Sequence, residues 1–429
     1  MIEEFKNNIE LAVAVAVVLK TSDEKIINDH LDELELLAET AGAKIVERFI
    51  QFRNKFDPKT IIGKGKVEEI KEFIKEANIN LVIFDDDISP AQLKNLENIL
   101  QVKVIERTGL ILDIFAKNAR TNEAKIQVEL AQSQYMLTRL TRMWTHLSKQ
   151  YGGIGTKGPG ETQIETDRRI LKSKITKLKS KLREIQLQKN EQKKGRQEYP
   201  RFALVGYTNA GKSTLLNTIT QANVYVEDKL FATLDTTVRT FFFENGQKAL
   251  LSDTVGFIRK LPPHLVSSFH STLSEVREAD VIVHLVDINS KSLIEHINVV
   301  RETLDKLNID INNELLVFNK IDLIKDKDIF RMVQADFPDS LFISASRGIN
   351  IYGLLNRMQD KYNEQGSIVE FILPYQSMRR IKDIYNLGDI REKHDKDEGI
   401  YFKLRVKKEK KSYFNNLINH KIIIEGHKV

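Results

Sequence analysis

The residues with the clearest chemical pattern form a short glycine-containing segment in the middle of the chain. They match G-x-x-x-x-G-K-[ST] at every fixed position: Gly206, Tyr207, Thr208, Asn209, Ala210, Gly211, Lys212 and Ser213. The glycines let successive backbone N–H groups face an anion, and the N-terminus of a following helix adds its positive dipole end. We expect Lys212 to reach the β- and γ-phosphates of a nucleotide and Ser213 to bind Mg²⁺.

The flanking sequence favours a phosphate-binding loop over a glycine-rich turn that binds nothing. The apolar run 202–205 predicts a buried strand before the segment, and Thr214 with the residues after it predicts the start of a helix. This strand–loop–helix order is the context in which the pattern has its mechanism. The sequence therefore predicts a nucleotide-binding domain.

Two later motifs predict which base the nucleotide carries. Asn319, Lys320 and Asp322 come at the end of an apolar strand, and the Asp322 carboxylate can accept hydrogen bonds from the ring N1–H and the exocyclic amine of guanine. Adenine has no such pair of donors. Ser344 and Ala345 follow another apolar run, where a backbone N–H can reach guanine O6.

A fourth motif lies between the phosphate loop and the base motifs. It consists of Asp253, Thr254, Val255 and Gly256, after the apolar run 249–251. Asp253 can hold Mg²⁺ through water, and the Gly256 N–H can contact the γ-phosphate. Ligands of open α/β sheets bind at the carboxyl edge of the strands, where all four motifs fall. Together they predict GTP or GDP as the ligand.

The first switch of a GTPase belongs between the phosphate loop and Asp253. The segment there contains Phe231, Ala232, Thr233, Leu234 and Asp235, followed by Thr236 and Thr237. One threonine should bind Mg²⁺ when the γ-phosphate is present, but composition does not distinguish among Thr233, Thr236 and Thr237. A solvated threonine-rich turn is the alternative.

Two residues bear on the rate of hydrolysis. Phe257 stands where many GTPases carry the glutamine that orients the attacking water. Because phenylalanine cannot hydrogen-bond water, we expect slow intrinsic hydrolysis unless a partner completes the site. Asn209 either helps hold a monovalent cation such as K⁺ against the phosphates or only stabilises the turn of the loop.

Length and composition limit the class of protein. With 429 residues and 41% hydrophobic content, the chain should form two to four domains with real cores, and the absence of cysteine excludes disulfides and thiolate metal sites. The longest apolar run, 11–19, is shorter than a membrane span, and acidic Glu3 and Glu4 precede it. We expect a soluble cytoplasmic protein. A net charge of +6 points weakly toward nucleic acid.

The N-terminal region, residues 1–120, alternates apolar strands with helical segments, which predicts a parallel α/β domain. Expected strands are 12–19, 45–50, 81–84 and 102–105, and expected helices are 25–42, 66–77 and 89–100. The acidic run Asp85–Asp87 follows a strand, and a solvated loop with a helix cap is favoured there over a metal site.

Residues 121–197 predict an antiparallel helical hairpin. Apolar residues recur at alternating steps of four and three on both sides of the glycine-rich segment 151–160, which cannot continue a helix. The second helix is strongly basic. We favour RNA contact over a flexible loop that only connects the two helices, because glycine lets the backbone at the tip approach RNA closely and basic side chains attract its phosphates. The expected contact residues are Gly153, Gly155, Lys157, Gly158, Gly160, Arg168 and Arg169.

The remaining boundaries place the nucleotide domain at 198–365 and a small α+β domain at 366–429. In the latter, Ile400, Phe402, Leu404 and Val406 alternate with polar residues, which predicts a half-exposed strand with one basic face. A solvated edge strand and a strand that faces RNA remain equally open.

The chain resembles the HflX family of ribosome-associated GTPases over roughly residues 10–360. The segment from Gly153 to Gln163 with 167–169 behind it is the most family-specific match, and the segments 62–66, 231–235 and 253–257 also match. The resemblance implies that Thr233 is the switch threonine that binds Mg²⁺, so the expected catalytic residues are Lys212, Thr233 and Gly256.

The resemblance also implies a function. The family binds the large ribosomal subunit and splits stalled or idle ribosomes under stress, with its helical arm near the peptidyl transferase region. Some members have an ascribed ATP-dependent activity, but we find no second phosphate loop in the sequence. We expect a monomer. The alternative function is a GTPase of ribosome assembly or RNA modification, or one of membrane signalling. A tRNA-modifying enzyme commonly has a C-terminal cysteine, and this chain has no cysteine. Membrane signalling would need an anchor, and none is visible in the sequence.

Overall fold

The computed structural model of the chain falls into two compact units, residues up to Ile351 and residues from Tyr352 onward. The structure describes residues 10–19, 24–143, 159–193, 199–220, 230–231, 234, 236–262, 265, 274–325, 327–364, 366–406, 410–419 and 424–425. Within that part of the chain, no helix is long and apolar enough to cross a membrane.

The first unit begins with a parallel four-stranded sheet, as predicted. Its strands are β1 (Glu10–Leu19), β2 (Ala43–Arg53), β3 (Leu81–Phe84) and β4 (Lys103–Glu106), in the order β2-β1-β3-β4. The helices are α1 (Glu24–Ala41), α2 (Lys64–Glu76), α3 (Pro90–Leu100) and α4 (Arg107–Asn118), of which only α4 was not expected. Both faces of β1 are buried, because helices cover the sheet on each side.

Two long helices follow and confirm the paired apolar faces of the hairpin. They are α5 (Asn122–Met143) and α6 (Pro159–Lys193). Ile126 and Leu130 of α5 pack against Leu178 of α6. Most of the glycine-rich tip lies outside the described residues. Gly160 is part of α6, so the expectation that it belongs to the loop is wrong; Pro159 begins the helix, where the missing N–H of proline costs nothing.

The nucleotide domain is a six-stranded sheet in the order β10-β9-β8-β5-β7-β6. All neighbouring strands are parallel except β6 and β7. The elements in chain order are β5 (Arg201–Gly206), α7 (Lys212–Thr220), β6 (Thr237–Phe242), β7 (Lys248–Asp253), α8 (Ser274–Arg277), β8 (Val281–Asp287), α9 (Leu293–Lys306), β9 (Glu314–Asn319), α10 (Lys327–Asp336) and β10 (Leu341–Phe342). The carboxyl ends of β5, β7 and β9 carry the motifs identified from the sequence, as expected for this class of sheet.

The second unit contains the small α+β fold predicted for the C-terminal region. After α11 (Ile351–Glu364) come β11 (Ser367–Pro374), α12 (Ile381–Leu387), β12 (Gly388–Lys396), β13 (Gly399–Val406), α13 (Lys411–Asn419) and β14 (Ile424–Glu425). The sheet order is β12-β13-β11-β14, and each neighbouring pair is antiparallel. Because β13 has a partner on each side, the edge-strand alternative is wrong. Its alternation of buried and less buried residues is confirmed.

Candidate nucleotide-binding site

The loop from β5 to α7 has a conformation that its two glycines make possible. Gly206 has φ +154° and Gly211 has φ +94°, both in the region that side chains rarely adopt. A Cβ atom on Gly206 would lie 2.2 Å from the Leu285 carbonyl oxygen, and one on Gly211 would lie 2.3 Å from Asn319 Nδ2. The loop therefore packs too closely on its neighbours for any other residue at these two positions.

Lys212 lies inside the curl of the loop. Its ammonium group donates hydrogen bonds to the carbonyl oxygens of Gly206 at 3.1 Å and Tyr207 at 2.9 Å. Burial lowers the pKa of Lys212 to about 8, partly opposed by the nearby Asp253 carboxylate. A buried ammonium hydrogen-bonded to two carbonyl oxygens would be stabilised further by a phosphate oxygen, and binding phosphate is the role expected of Lys212.

Ser213 and Asp253 form the part of the site suited to Mg²⁺. Ser213 Oγ donates to Asp253 Oδ2 at 2.6 Å, and Asp253 Oδ1 is buried without a hydrogen-bond partner. Burial raises the pKa of Asp253 despite the nearby Lys212 charge. A hydroxyl beside a buried carboxylate with an unsatisfied oxygen fits a hydrated Mg²⁺ ion. Thr233, the expected third contributor, lies outside the described residues, as do Ala232 and Asp235.

Asn319 joins the phosphate loop to the base-recognition loop. Its Nδ2 donates to the Ala210 carbonyl oxygen, and its Oδ1 accepts from the Ala345 backbone N–H, both at 2.9 Å. Lys320 adopts a left-handed conformation and pairs with Asp287 at 2.9 Å. Asp322 is exposed at the short 3-10 turn that follows, and Ser344 is buried at the far side. The structure thus brings the phosphate and base motifs together.

Phe257 has its side chain in the core. Its N–H donates to the Gly206 carbonyl oxygen at 3.1 Å, and its carbonyl oxygen accepts from the Thr208 N–H at 2.7 Å. With only 3% of the residue exposed, the ring is packed away from solvent. Phe257 therefore offers the phosphate site backbone structure and no polar group.

The first-switch segment contacts the N-terminal domain, which the sequence did not predict. The Phe231 N–H donates to Thr208 Oγ1 at 3.1 Å, and its carbonyl oxygen accepts from Asn118 Nδ2 of α4 at 2.9 Å. Its ring meets Phe115 edge-on at a centroid distance of 4.6 Å. The one sequence feature that could have indicated this contact is the large apolar side chain of Phe231 within a loop segment.

The segment after Gly256 also contacts the N-terminal domain, through buried charges. Asp85 accepts from Arg107 at 2.9 Å, from Arg259 at 2.7 Å and from Lys260 at 2.9 Å, and Glu33 pairs with Arg107. We call these five residues the ion cluster. Burial opposes ionisation, but the charges of Arg107, Arg259 and Lys260 hold the pKa of Asp85 well below its usual range. The favoured interpretation of Asp85 as part of a solvated acidic loop is wrong.

Tyr207 places the phosphate loop in the same network. Its hydroxyl donates to Glu33 at 2.8 Å and accepts from the Arg259 backbone N–H at 2.9 Å. Its ring stacks on that of His296, with the ring centroids 3.6 Å apart. Burial and the neighbouring Glu33 carboxylate raise the pKa of Tyr207, so the hydroxyl stays protonated and donates. Contacts with the N-terminal domain therefore hold both Tyr207 of the phosphate loop and Arg259 of the segment after Gly256.

The structure also shows where Asn209 and some of the expected RNA-contact residues lie. Asn209 is exposed with φ +60°, a conformation that asparagine tolerates better than most residues and that is compatible with both of its expected roles. Arg168 and Arg169 are exposed on α6, as an RNA contact requires. Gly153, Gly155, Lys157 and Gly158 lie outside the described residues.

The chain is similar to known GTPase families and to a solved structure. Three family models match in succession: "GTP-binding GTPase N-terminal" at residues 28–116, "GTP-binding GTPase Middle Region" at 118–196 and "50S ribosome-binding GTPase" at 201–320. A crystal structure of a GTP-binding protein from Sulfolobus solfataricus in complex with GDP covers 83% of the chain and 99% of its own, at 24% identity and a TM-score of 0.41.

Similar curated proteins extend over nearly the full chain. The GTPase HflX of Flavobacterium psychrophilum is 46% identical over 368 residues, covering 86% of this chain and 87% of its own. That of Caldanaerobacter subterraneus is 42% identical over 418 residues, covering 97% and 95%, and that of Escherichia coli is 41% identical over 389 residues, covering 90% and 91%. With relatives of this identity and coverage, and with its phosphate and base motifs together at one sheet edge, the chain belongs to the HflX family, a family of GTP-hydrolysing, 50S ribosome-binding GTPases.

Proposed function

We propose that this protein, loaded with GTP, binds the large ribosomal subunit in the cytoplasm and separates the subunits of stalled or idle ribosomes under stress. The observation that carries the proposal is the helical arm on a GTPase of this family. At 35 residues, α6 is about 50 Å long, enough to reach deep into a ribosomal cleft. Its exposed basic residues include Arg168 and Arg169 near the tip.

A chain of contacts links the nucleotide site to this arm. Thr208 and Tyr207 of the phosphate loop hold Phe231 and Arg259, which in turn bond to the N-terminal domain. At the carboxyl end of β4, directly before Arg107 of the ion cluster, Glu106 accepts from the Tyr135 hydroxyl of α5 at 2.9 Å. A change at the γ-phosphate therefore has a packed, hydrogen-bonded path toward the hairpin.

Hydrolysis is proposed to be slow in the free protein and faster on the ribosome. Lys212 would stabilise the charge on the β- and γ-phosphates, and Thr233 and Gly256 would complete the γ-phosphate contacts. Ser213 and Asp253 would hold Mg²⁺, which would neutralise phosphate charge. Phe257 supplies no group to orient water, so a ribosomal partner has to complete the site. Asn209 would add a K⁺ contact, which a comparison of rates in sodium and potassium salts tests. We also propose that the protein acts as a monomer and that the sequence-derived boundaries after 120, 197 and 365 separate its domains.

The test is light scattering of intact ribosomes mixed with the protein and a non-hydrolysable GTP analogue. Replacing residues 152–160 with a tight turn should abolish splitting but leave GTP binding intact, because the phosphate loop lies in another domain. Arg168→Glu with Arg169→Glu should give a milder loss that grows with salt. Lys181→Glu, an exposed charge reversal farther along the same helix, is the control for charge alone.

Two results would count against the proposal. Normal splitting by the shortened variant would show that the tip only connects the two helices. Sedimentation of the wild-type protein with large subunits or their precursors, without any splitting, would favour the alternative role in ribosome assembly.

A further inference from the structure

The C-terminal sheet has one covered face and one open face. The elements follow one another in the order β11-α12-β12-β13-α13-β14. In the core, Phe371 and Phe402 of the sheet pack with Ile384 of α12 and Leu417 of α13. Both helices therefore lie on the same side. Residues that alternate with this core, among them Glu370, Tyr401 and Lys403, lie on the opposite side, which these helices leave uncovered.

One end of the open face carries aromatic rings. His394 and Tyr401 are cross-strand partners on β12 and β13, with ring centroids 6.2 Å apart and planes 18° from parallel. Tyr375, just after β11, is 52% exposed, and its hydroxyl donates to the Lys396 carbonyl oxygen at 3.0 Å. The Lys396 ammonium lies 4.6 Å from the Tyr401 ring centroid. Three rings and one cation thus cluster at a solvent-facing end of the sheet.

The other end of the same face is closed. Arg405 continues the alternation of Tyr401 and Lys403, but it is only 2% exposed. Its guanidinium lies 3.9 Å from the Tyr362 ring centroid and donates to Asn363, both at the end of α11. The His394 side chain, in contrast, is 65% exposed. The covering helix stops short of the aromatic end.

The charge of this unit favours an anionic partner. From Tyr352 to Val429 the sequence has sixteen lysines and arginines against eleven aspartates and glutamates, a net charge of +5, whereas the whole chain carries +6. Lys403 is paired with Glu370 at 3.1 Å, so the open face itself is not a uniform cationic surface. The turn beside the aromatic end carries Asp395, Asp397 and Glu398 as well as Lys396, so the excess of positive charge is a property of the unit as a whole.

We propose that the aromatic end of this face binds unpaired RNA, with bases stacked on Tyr401, His394 and Tyr375 and phosphates attracted by Lys396 and by the net positive charge of the unit. Base stacking on exposed rings works for any base, but it requires base faces that a duplex hides. This would be an RNA contact separate from the helical arm, and it does not rest on ribosome splitting. An acidic protein partner would use the charge but not the rings.

The test is fluorescence anisotropy with the full-length protein and a labelled ten-nucleotide single-stranded RNA of mixed sequence. Tyr401→Ala and His394→Ala should each weaken binding by roughly tenfold. Tyr401→Phe, which keeps the ring, should bind normally. Tyr413→Ala is the matched control, because Tyr413 is 43% exposed but lies on α13, on the covered side of the sheet.

Further measurements make the result decisive. The loss should persist in a background with Arg168→Glu and Arg169→Glu, which separates this site from the arm. Unchanged GTP binding and circular dichroism would exclude misfolding. Wild-type affinity in both alanine variants would overturn the proposal. So would equally tight binding of a duplex of the same sequence, or of polyglutamate, because either would show that charge alone attracts the ligand.

Discussion

The ion cluster gives a quantitative prediction for Asp85→Asn. Asp85 is 4% exposed and is the shared partner of Arg107, Arg259 and Lys260. The amide keeps the volume but removes the charge, and it leaves two guanidiniums that are 1% and 5% exposed with Glu33 as their remaining carboxylate. Removing one partner of a buried ion pair typically costs about 3–5 kcal/mol. For a unit of 351 residues, we expect a loss of about 4–7 °C in the unfolding midpoint.

The assay is thermal unfolding followed by circular dichroism, with two controls. Asp87→Asn changes the same loop, but Asp87 accepts only an exposed hydrogen bond from Thr108, so its effect should stay within about 0.5 kcal/mol. Lys260→Ala removes a cation whose side chain is 40% exposed, so about 0–1 kcal/mol is expected. Equal shifts for Asp85→Asn and Asp87→Asn would refute the view that buried charges join the two domains.

The pH dependence supplies an independent check of the same cluster. Because folding lowers the pKa of Asp85, its stabilisation is fully present above the ordinary value of 3.8 and is lost as the pH falls toward the lowered value. The difference between wild type and Asp85→Asn should therefore stay constant between about pH 5 and 7 and shrink below about pH 4. A difference that grew on acidification would contradict the assignment.

Four further predictions concern the nucleotide site. Lys212→Ala should abolish or strongly weaken GTP binding in equilibrium titrations, because the phosphates lose their buried cation. Asp322→Asn should shift preference from guanine to xanthine nucleotides in a competition assay, since an amide can donate to the 2-oxo group; unchanged GTP affinity in both variants would refute the assignment. Asn319→Ala leaves two buried backbone groups unpaired, so GDP affinity should fall by about tenfold. Phe257→Gln should not accelerate single-turnover hydrolysis, because the backbone bonds hold this side chain in the core.

The sequence determined most of the local structure, because local structure depends on residues close together in the chain. The phosphate loop follows from two glycines at fixed spacing with a strand before and a helix after. The strands of the N-terminal sheet follow from apolar runs of the right length, and β3 begins and ends where the sequence predicted. The paired faces of α5 and α6 follow from heptad spacing alone.

The tertiary structure decided which distant residues meet. Asp85 and Arg259 are 174 positions apart, and each alone has the composition of a solvated loop. Only the packing of the N-terminal domain against the nucleotide domain brings them within 2.7 Å and buries them. Likewise, the alternation of apolar and polar residues in β13 predicted a strand with one buried and one polar face. The strand order of the folded sheet places β13 inside the sheet, and α11 covers one end of its polar face. Pattern fixes what a segment can form, whereas burial, and with it the strength of each charge or ring contact, depends on what packs against it.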